Sequence, residues 1–281
     1  MTVVLAGCGD LGTEVGRRFV RSGYEVLGLR RSPQHLPAEF TGRALDLHRE
    51  IPELPDDTEI LVIALTADGR SEQAYRATYL DGLHRLLDGL DRGGVRPNRV
   101  LLVSSTAVYG VSDGSTVDEG TPTTPHATNG TVLLEAERAL HERIPTATVL
   151  RLAGIYGPGR TALLDRVRNG EAVIPDVPVH TNRIHRDDAA AAIVHLTTRG
   201  DTPAPIYLGV DDQPVQRGEV LRFLADELGA PRPPVGGPSP TRGGDKRCSN
   251  ALLRATGFTF TYPTYREGYR AVLAGHGTRH R

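Results

Sequence analysis

The sequence predicts an α/β protein, a doubly wound parallel sheet with a smaller C-terminal lobe. Two observations predict it. Short β-rich apolar runs alternate with segments of helical spacing over the first half of the chain, and after about residue 153 glycines and prolines break the pattern into shorter pieces. The expected division is therefore residues 1–152 for the sheet domain and 153–281 mainly for a substrate-binding lobe, interleaved with the sheet.

The strands come first. Thr2–Ala6, 25–29, 60–65, 99–104 and 147–152 read as nearly continuous hydrophobic runs, as strands do when both faces of a parallel sheet are covered. Between them, residues 12–22 and 72–90 carry helical spacing, the latter through Ala74, Leu83, Leu86, Leu87 and Leu90. Residues 129–144 place Val132, Ala136, Ala139 and Leu140 on one helical face. Beyond 153 the expected elements are helices over 188–198, 217–229, 249–256 and 263–274 and a strand over 206–210. The Pro/Gly stretch 231–244 reads as a mobile surface loop or lid.

Composition narrows the function. The chain has 281 residues, 38% hydrophobic and 24% charged, and its 33 basic and 34 acidic residues leave a net charge of −1. No overall field draws it to nucleic acid or to an anionic membrane, so the expected partner is a small molecule. Cys8 and Cys248 have neither metal-ligand nor redox spacing, which points to a reducing, cytoplasmic setting. No apolar run approaches the roughly 18 residues of a membrane span. The apolar start reads as a first strand, not an export signal.

The first strand runs into Gly7-Cys8-Gly9-Asp10-Leu11-Gly12 and then into a predicted helix. In that context the glycines have separate tasks: Gly7 turns the chain, Gly9 lets backbone approach a pyrophosphate, and Gly12 allows close packing. The helix N-terminus offers N–H groups and the positive end of its dipole. A Rossmann-type dinucleotide site follows, with Asp10 and Leu11 in its loop. An NAD-specific site would place a carboxylate after the second strand, on the ribose hydroxyls. This chain has Arg30-Arg31-Ser32 there, groups suited to a 2′-phosphate, so NADP(H) is the expected cofactor. Asp46-Leu47 is a candidate for the adenine edge or an ordinary turn. Ala64, Leu65 and Thr66 after the third predicted strand, with Ser104, complete the expected cofactor set.

The segment Ser104-Ser105-Thr106-Ala107-Val108-Tyr109-Gly110 ends a central strand, at the sheet edge where ligands bind. With Gly7 to Gly12, residues 151–159 and Asn182-Arg183-Ile184-His185-Arg186-Asp187-Asp188, it resembles the short-chain dehydrogenase/reductase superfamily, in its extended epimerase/dehydratase branch. The resemblance spans nearly the whole chain. It implies that Ser105 holds a substrate carbonyl and that Ala153, Gly154 and Ile155 line the nicotinamide side. It also implies a Tyr-x-x-x-Lys pair on the next helix, the tyrosine as proton donor and the lysine lowering its pKa.

That pair is missing. Asn129 and Leu133 stand at its positions, and the chain has a single lysine, Lys246. The spacing mimic Tyr156 with Arg160 lies on a Gly-Pro-Gly loop, and arginine holds its proton too firmly to shuttle it. The chain is similar in this to atypical members of the superfamily, among them ketoreductases of angucyclinone (simocyclinone-type) antibiotic biosynthesis. The expected activity is accordingly an NADPH-dependent ketoreductase acting on an aromatic polyketide carbonyl. Ser105, Tyr109 and His185 are its candidate catalytic residues, and the proton is sought from these, Thr106, Tyr156, water or the substrate. A sugar-nucleotide epimerase or dehydratase, and a non-catalytic NADP(H) sensor, are the alternatives.

Each candidate has a plainer account. His185 can be a satisfied packing residue, Tyr109 a buried tyrosine with a hydrogen-bonded hydroxyl, Asp188 a helix N-cap, and Cys8 a small packing residue. No His/Cys/Asp/Glu cluster has metal spacing.

Overall fold

The structure, a computed structural model, describes residues 1–238 and 243–280. In chain order its main strands are β1 (Thr2–Ala6), β2 (Glu25–Arg30), β3 (Thr41–Ala44), β4 (Thr58–Ile63), β5 (Arg99–Ser105), β6 (Thr148–Leu152) and β7 (Ile206–Gly209). They form one parallel sheet in the order β7-β6-β5-β4-β1-β2-β3. The order reverses between β1 and β4, and the carboxyl ends of those strands open a crevice there. This is the Rossmann-type architecture that the sequence predicts.

The main helices are α1 (Asp10–Arg21), α2 (Gly82–Gly93), α3 (Thr128–Arg143), α4 (Arg186–Thr198), α5 (Arg217–Leu228) and α6 (Tyr265–Leu273). Successive side chains of β1 point to opposite faces. Val3 and Leu5 pack with Val15 and Phe19 of α1 and Ile193 of α4, while Val4 and Ala6 pack with Leu83 and Leu86 of α2 and Leu140 of α3. Burial on both faces is why these strands carry no polar alternation. Truncating a core residue such as Leu5 to alanine would cost about 2–5 kcal/mol. A third core, around Tyr156, Leu164, Leu224, Tyr265 and Tyr269, holds the C-terminal lobe together.

Several expectations need amending. β3 lacks an apolar signature because all four of its residues are exposed at the sheet edge, and backbone pairing with β2 defines it. The helix expected over 72–90 is interrupted by a π turn at Ala77–Asp81. α4 starts at Arg186, so its N-cap is His185, whose Nδ1 accepts the Asp187 N–H at 3.2 Å. Asp188, expected as that cap, lies inside the helix and accepts the Thr261 and Tyr262 N–H groups at 2.8 and 2.9 Å. Within the stretch 231–244, Val235–Gly237 pairs with Ile174–Pro175, and residues 239–242 lie outside the described residues. No amendment is needed where α4 and β7 join the sheet sandwich, since the sequence expects residues 153–281 to be interleaved with the sheet.

Candidate active site

The glycine loop has the shape that a dinucleotide needs. Gly7 has φ +87°, and a Cβ there would lie 2.5 Å from the Ala64 carbonyl oxygen, so only glycine makes this turn beside β4. A Cβ at Gly12 would lie 2.9 Å from the Gly7 carbonyl oxygen, which is how α1 starts so close to the strand. Around Gly9 a Cβ would meet nothing, and Gly9 lines the cleft. No side chain caps α1, so the positive end of its dipole faces the loop.

Beside the loop lies a cavity of about 230 Å³. Arg30, Arg31, Ser32, Asp46 and Leu47 line one side of it, and Ala64, Leu65 and Thr66 the other. The structure thus brings together most of the expected cofactor residues, and their donors suit the adenosine half of a dinucleotide. Arg30 Nη1 donates to the Cys8 carbonyl oxygen at 3.2 Å. Arg31 makes a bidentate pair with Asp68, both contacts at 2.6 Å, and this holds the Asp68 carboxyl below its ordinary range. Asp46 accepts the His48 N–H at 3.0 Å, so its carboxylate shapes its own turn.

Three residues of the expected set have other work. Asp10 points toward the C-terminal lobe, where it accepts from Arg160 Nε at 2.8 Å, Arg186 Nη1 at 2.7 Å and the His280 N–H at 3.1 Å. Leu11 is packed into the core. Ser104 donates to Glu137 Oε1 inside the protein and lines neither cavity. Cys8 is buried, and burial pushes its thiol up to about 11, so it is a packing residue.

A larger cavity of about 620 Å³ opens at the end of β5, within the range of a small-molecule site. Ser105, Ala153, Gly154 and Ile155, all expected, line it. The Ser105 Oγ accepts the Ala107 N–H at 3.2 Å and so shapes the turn after β5. Asn129, at the position of the missing tyrosine, also lines the cavity, whereas Leu133 is buried.

The other two candidate catalytic residues do not take the expected roles. Tyr109 touches the cavity, but its hydroxyl accepts from Arg151 Nη1 at 2.7 Å within a closed buried network. Burial pushes that hydroxyl up to about 12 against the pull of Arg151. His185 is buried beneath Tyr156 and Tyr262, lies outside both cavities and caps α4. Burial lowers its imidazole to about 4, so near neutral pH it is an uncharged packing residue.

Sequence reasoning missed His126, Arg160, His180, Thr181, Asn182 and Lys246, which complete the wall of the larger cavity. One signal was available: the lone lysine of an arginine-rich chain. Among the described residues no group of three or more His, Cys, Asp or Glu side chains could hold a metal ion, and no helix is long and apolar enough to cross a membrane.

Residues 3–209 match the model of the NAD dependent epimerase/dehydratase family. The chain belongs to that family. A solved structure from Methylobacillus flagellatus, assigned to the NAD-dependent epimerase/dehydratases, is 38% identical, with a TM-score of 0.81 and 98% of each chain covered. Protein YeeZ of Escherichia coli K12 is 32% identical over 203 residues, 69% of this chain and 72% of YeeZ. The dTDP-6-deoxy-L-talose 4-dehydrogenase (NAD(P)(+)) of Kitasatospora kifunensis is 24% identical over 254 residues, 81% of this chain and 79% of that protein. Asn129 and Leu133, at the positions where the resemblance implies a tyrosine and a lysine, are thus a departure within a shared family fold.

Proposed function

We propose that this family member is an NAD(P)H-dependent reductase of a keto group on a polar, anion-bearing substrate, of the kind that a nucleotide-linked keto sugar presents. One observation carries the reading. Among the described residues the larger cavity is lined by Arg160, Lys246, His126 and His180 and by no carboxylate, with Ser105, Thr106, Thr181, Asn129 and Asn182 between them. Arg160 and His180 are engaged by Asp10 and Asp245, which leaves Lys246 as the wall's cation without a carboxylate partner among the described residues, beside side chains that hydrogen-bond hydroxyl groups. A flat aromatic polyketide would want broad apolar walls, and the large hydrophobic side chains here are limited to Ile155 and Tyr109. The aromatic ketone therefore ranks below the sugar-like one. The similarity to a sugar 4-dehydrogenase supports the same order.

Reduction is favoured over epimerisation because epimerisation begins by oxidising an alcohol and needs a base to take its proton. The Tyr-x-x-x-Lys pair that does so elsewhere in the superfamily is absent. When bound, the reduced nicotinamide supplies hydride. The residues around the cavity have to hold the carbonyl in near-attack geometry, with the Ser105 hydroxyl donating to its oxygen. Arg30 and Arg31 favour NADP over NAD.

Purified protein with NADPH or NADH, offered dTDP- and UDP-linked keto sugars beside angucyclinone ketones, tests this. Loss of reduced-nicotinamide absorbance with the sugar nucleotides is expected. Turnover of the aromatic ketones alone would move the assignment to polyketide reduction. Interconversion of nucleotide sugars without net cofactor use would make the chain an epimerase. Tight NADP(H) binding with no turnover would leave it a sensor.

A further inference from the structure

Among the 33 basic residues of the chain only Lys246 is a lysine. Its side chain is 2% exposed, yet it lines the larger cavity. Arginine would be the easier cation to bury, since an ammonium is more strongly hydrated, but arginine does not part with its proton.

The position is fixed from several sides. Asn182 donates from Nδ2 to the Lys246 carbonyl oxygen at 3.0 Å and accepts the Cys248 N–H at 2.8 Å. Asp245, the preceding residue, is held by the His180 N–H at 2.7 Å and Nδ1 at 2.8 Å. The Lys246 Nζ donates to the carbonyl oxygens of Tyr109, at 3.2 Å, and of Gly243. Both acceptors are neutral, and among the described residues no carboxylate pairs with the ammonium. Tyr109 ends the turn that starts at Ser105, so the ammonium is bound to the same turn as the hydroxyl assigned to the substrate carbonyl.

We propose that Lys246 is the proton donor of the reduction, delivering its proton to the substrate oxygen as that oxygen gains negative charge. The assignment rests on the reductase reading above. The carbonyl π pair moves onto oxygen and forms the O–H bond with a proton from Nζ. The new C–H bond is made with hydride from the reduced nicotinamide cofactor, and the neutral amine regains a proton from water in the cavity. Burial lowers the Lys246 ammonium from its ordinary value, which brings proton release nearer to neutral pH. The groups that face it or share its cavity are the Cys248 thiol, Tyr109, His126, Arg160 and the His180–Asp245 pair.

The single lysine makes the test direct, because lysine labelled with carbon-13 gives one ε-methylene signal. Its titration midpoint should lie below that of free lysine and should move when NADP+ binds. A midpoint at the free value, unmoved by NADP+, overturns the proposal. With a keto-sugar nucleotide that the wild type reduces, Lys246→Met should lower kcat about 100-fold with little change in KM. It should also remove the fall in kcat at alkaline pH, and Lys246→Arg should not restore the rate.

A raised KM that Lys246→Arg repairs would make the residue an anion anchor and overturn the assignment. So would loss of the same pH limb in His126→Gln with Lys246→Met unaffected. If the wild type reduces no ketone, the reductase reading falls and this role with it. If the wild type is active and Lys246→Met is equally fast, only the lysine assignment falls. Circular dichroism spectra and unfolding midpoints close to those of the wild type check that both lysine variants fold.

Discussion

Arg151 and Lys246 are two buried cations that reach the same residue, Tyr109, from different sides, and the protein answers their charges in opposite ways. Arg151 donates to the Tyr109 hydroxyl and pairs with Glu137 through Nε and Nη2, and Glu137 in turn accepts from Ser104. Arg151 and Glu137 are each 3% exposed, so the pair is dry and its charge is cancelled on the spot. Among the described residues Lys246 meets only neutral carbonyl oxygens, and it lines a cavity. A cancelled charge braces β5, β6 and α3 against one another and is spent on shape. An uncancelled one remains able to respond to whatever enters the cavity.

The largest effect that would break this contrast is on stability. Glu137→Gln should leave Arg151 buried without a counter-charge and cost about 3–5 kcal/mol in denaturant unfolding. Adding Arg151→Met should recover much of the loss, because the second change removes the stranded charge. A single variant as stable as the wild type would mean that the network does not brace the sheet.

Asp211 sharpens the comparison as a buried carboxyl that makes no ion pair among the described residues, with the charge of Arg183 giving only partial relief. It is 1% exposed, its Oδ2 has no hydrogen-bond partner, and burial pushes its carboxyl up to about 8. Between the ordinary value of 3.8 and about 8 the folded state keeps a proton that the unfolded state has lost. Stability contributed by this group therefore falls as pH rises through that window. Asp211→Asn should abolish the decline, which runs at roughly 1.4 kcal/mol per pH unit inside the window. Parallel unfolding curves for variant and wild type at every pH would contradict it.

Arg31 is the exposed counterpart, a cation paired with Asp68 at the rim of the other cavity. Arg31→Ala should weaken NADP+ binding about tenfold and leave NAD+ nearly unchanged, as titration calorimetry would read. Equal loss for both cofactors would remove Arg31 from the choice between them. The smallest effect is expected at His185. His185→Asn keeps a capping side chain for α4, so kcat/KM should stay within about twofold of wild type. A large loss would return His185 to the catalytic set.

Much of the fold was legible because its requirements are local. β1, β5 and β6 bury both faces, and a continuous apolar run reports that directly. β3 escaped because an exposed edge strand is defined by its neighbour's backbone. At the site, Arg30, Arg31, Ser105 and the run Ala153 to Ile155 follow strand ends or lie within one, so their place follows from the sheet. The side chains of Ser104 and Asp10 turn to partners within the protein, and a residue's position on a strand or loop does not say which way its side chain turns. Asp10 turns to Arg160 and Arg186, partners 150 and 176 residues away in sequence.

The sequence by itself determined the parallel sheet, the glycine loop and the absence of the Tyr-x-x-x-Lys pair, since each depends on residues close together along the chain. Only the tertiary structure decided that the Tyr109 hydroxyl is tied to Arg151, that His185 lies buried outside both cavities, and that Lys246 and Asn182 stand at the end of β5. Lys246 meets Tyr109 across 137 residues. No periodicity or spacing carries such a contact, because it is made by the path of the whole chain, and the burial that alters a side chain's chemistry exists only once that path has closed.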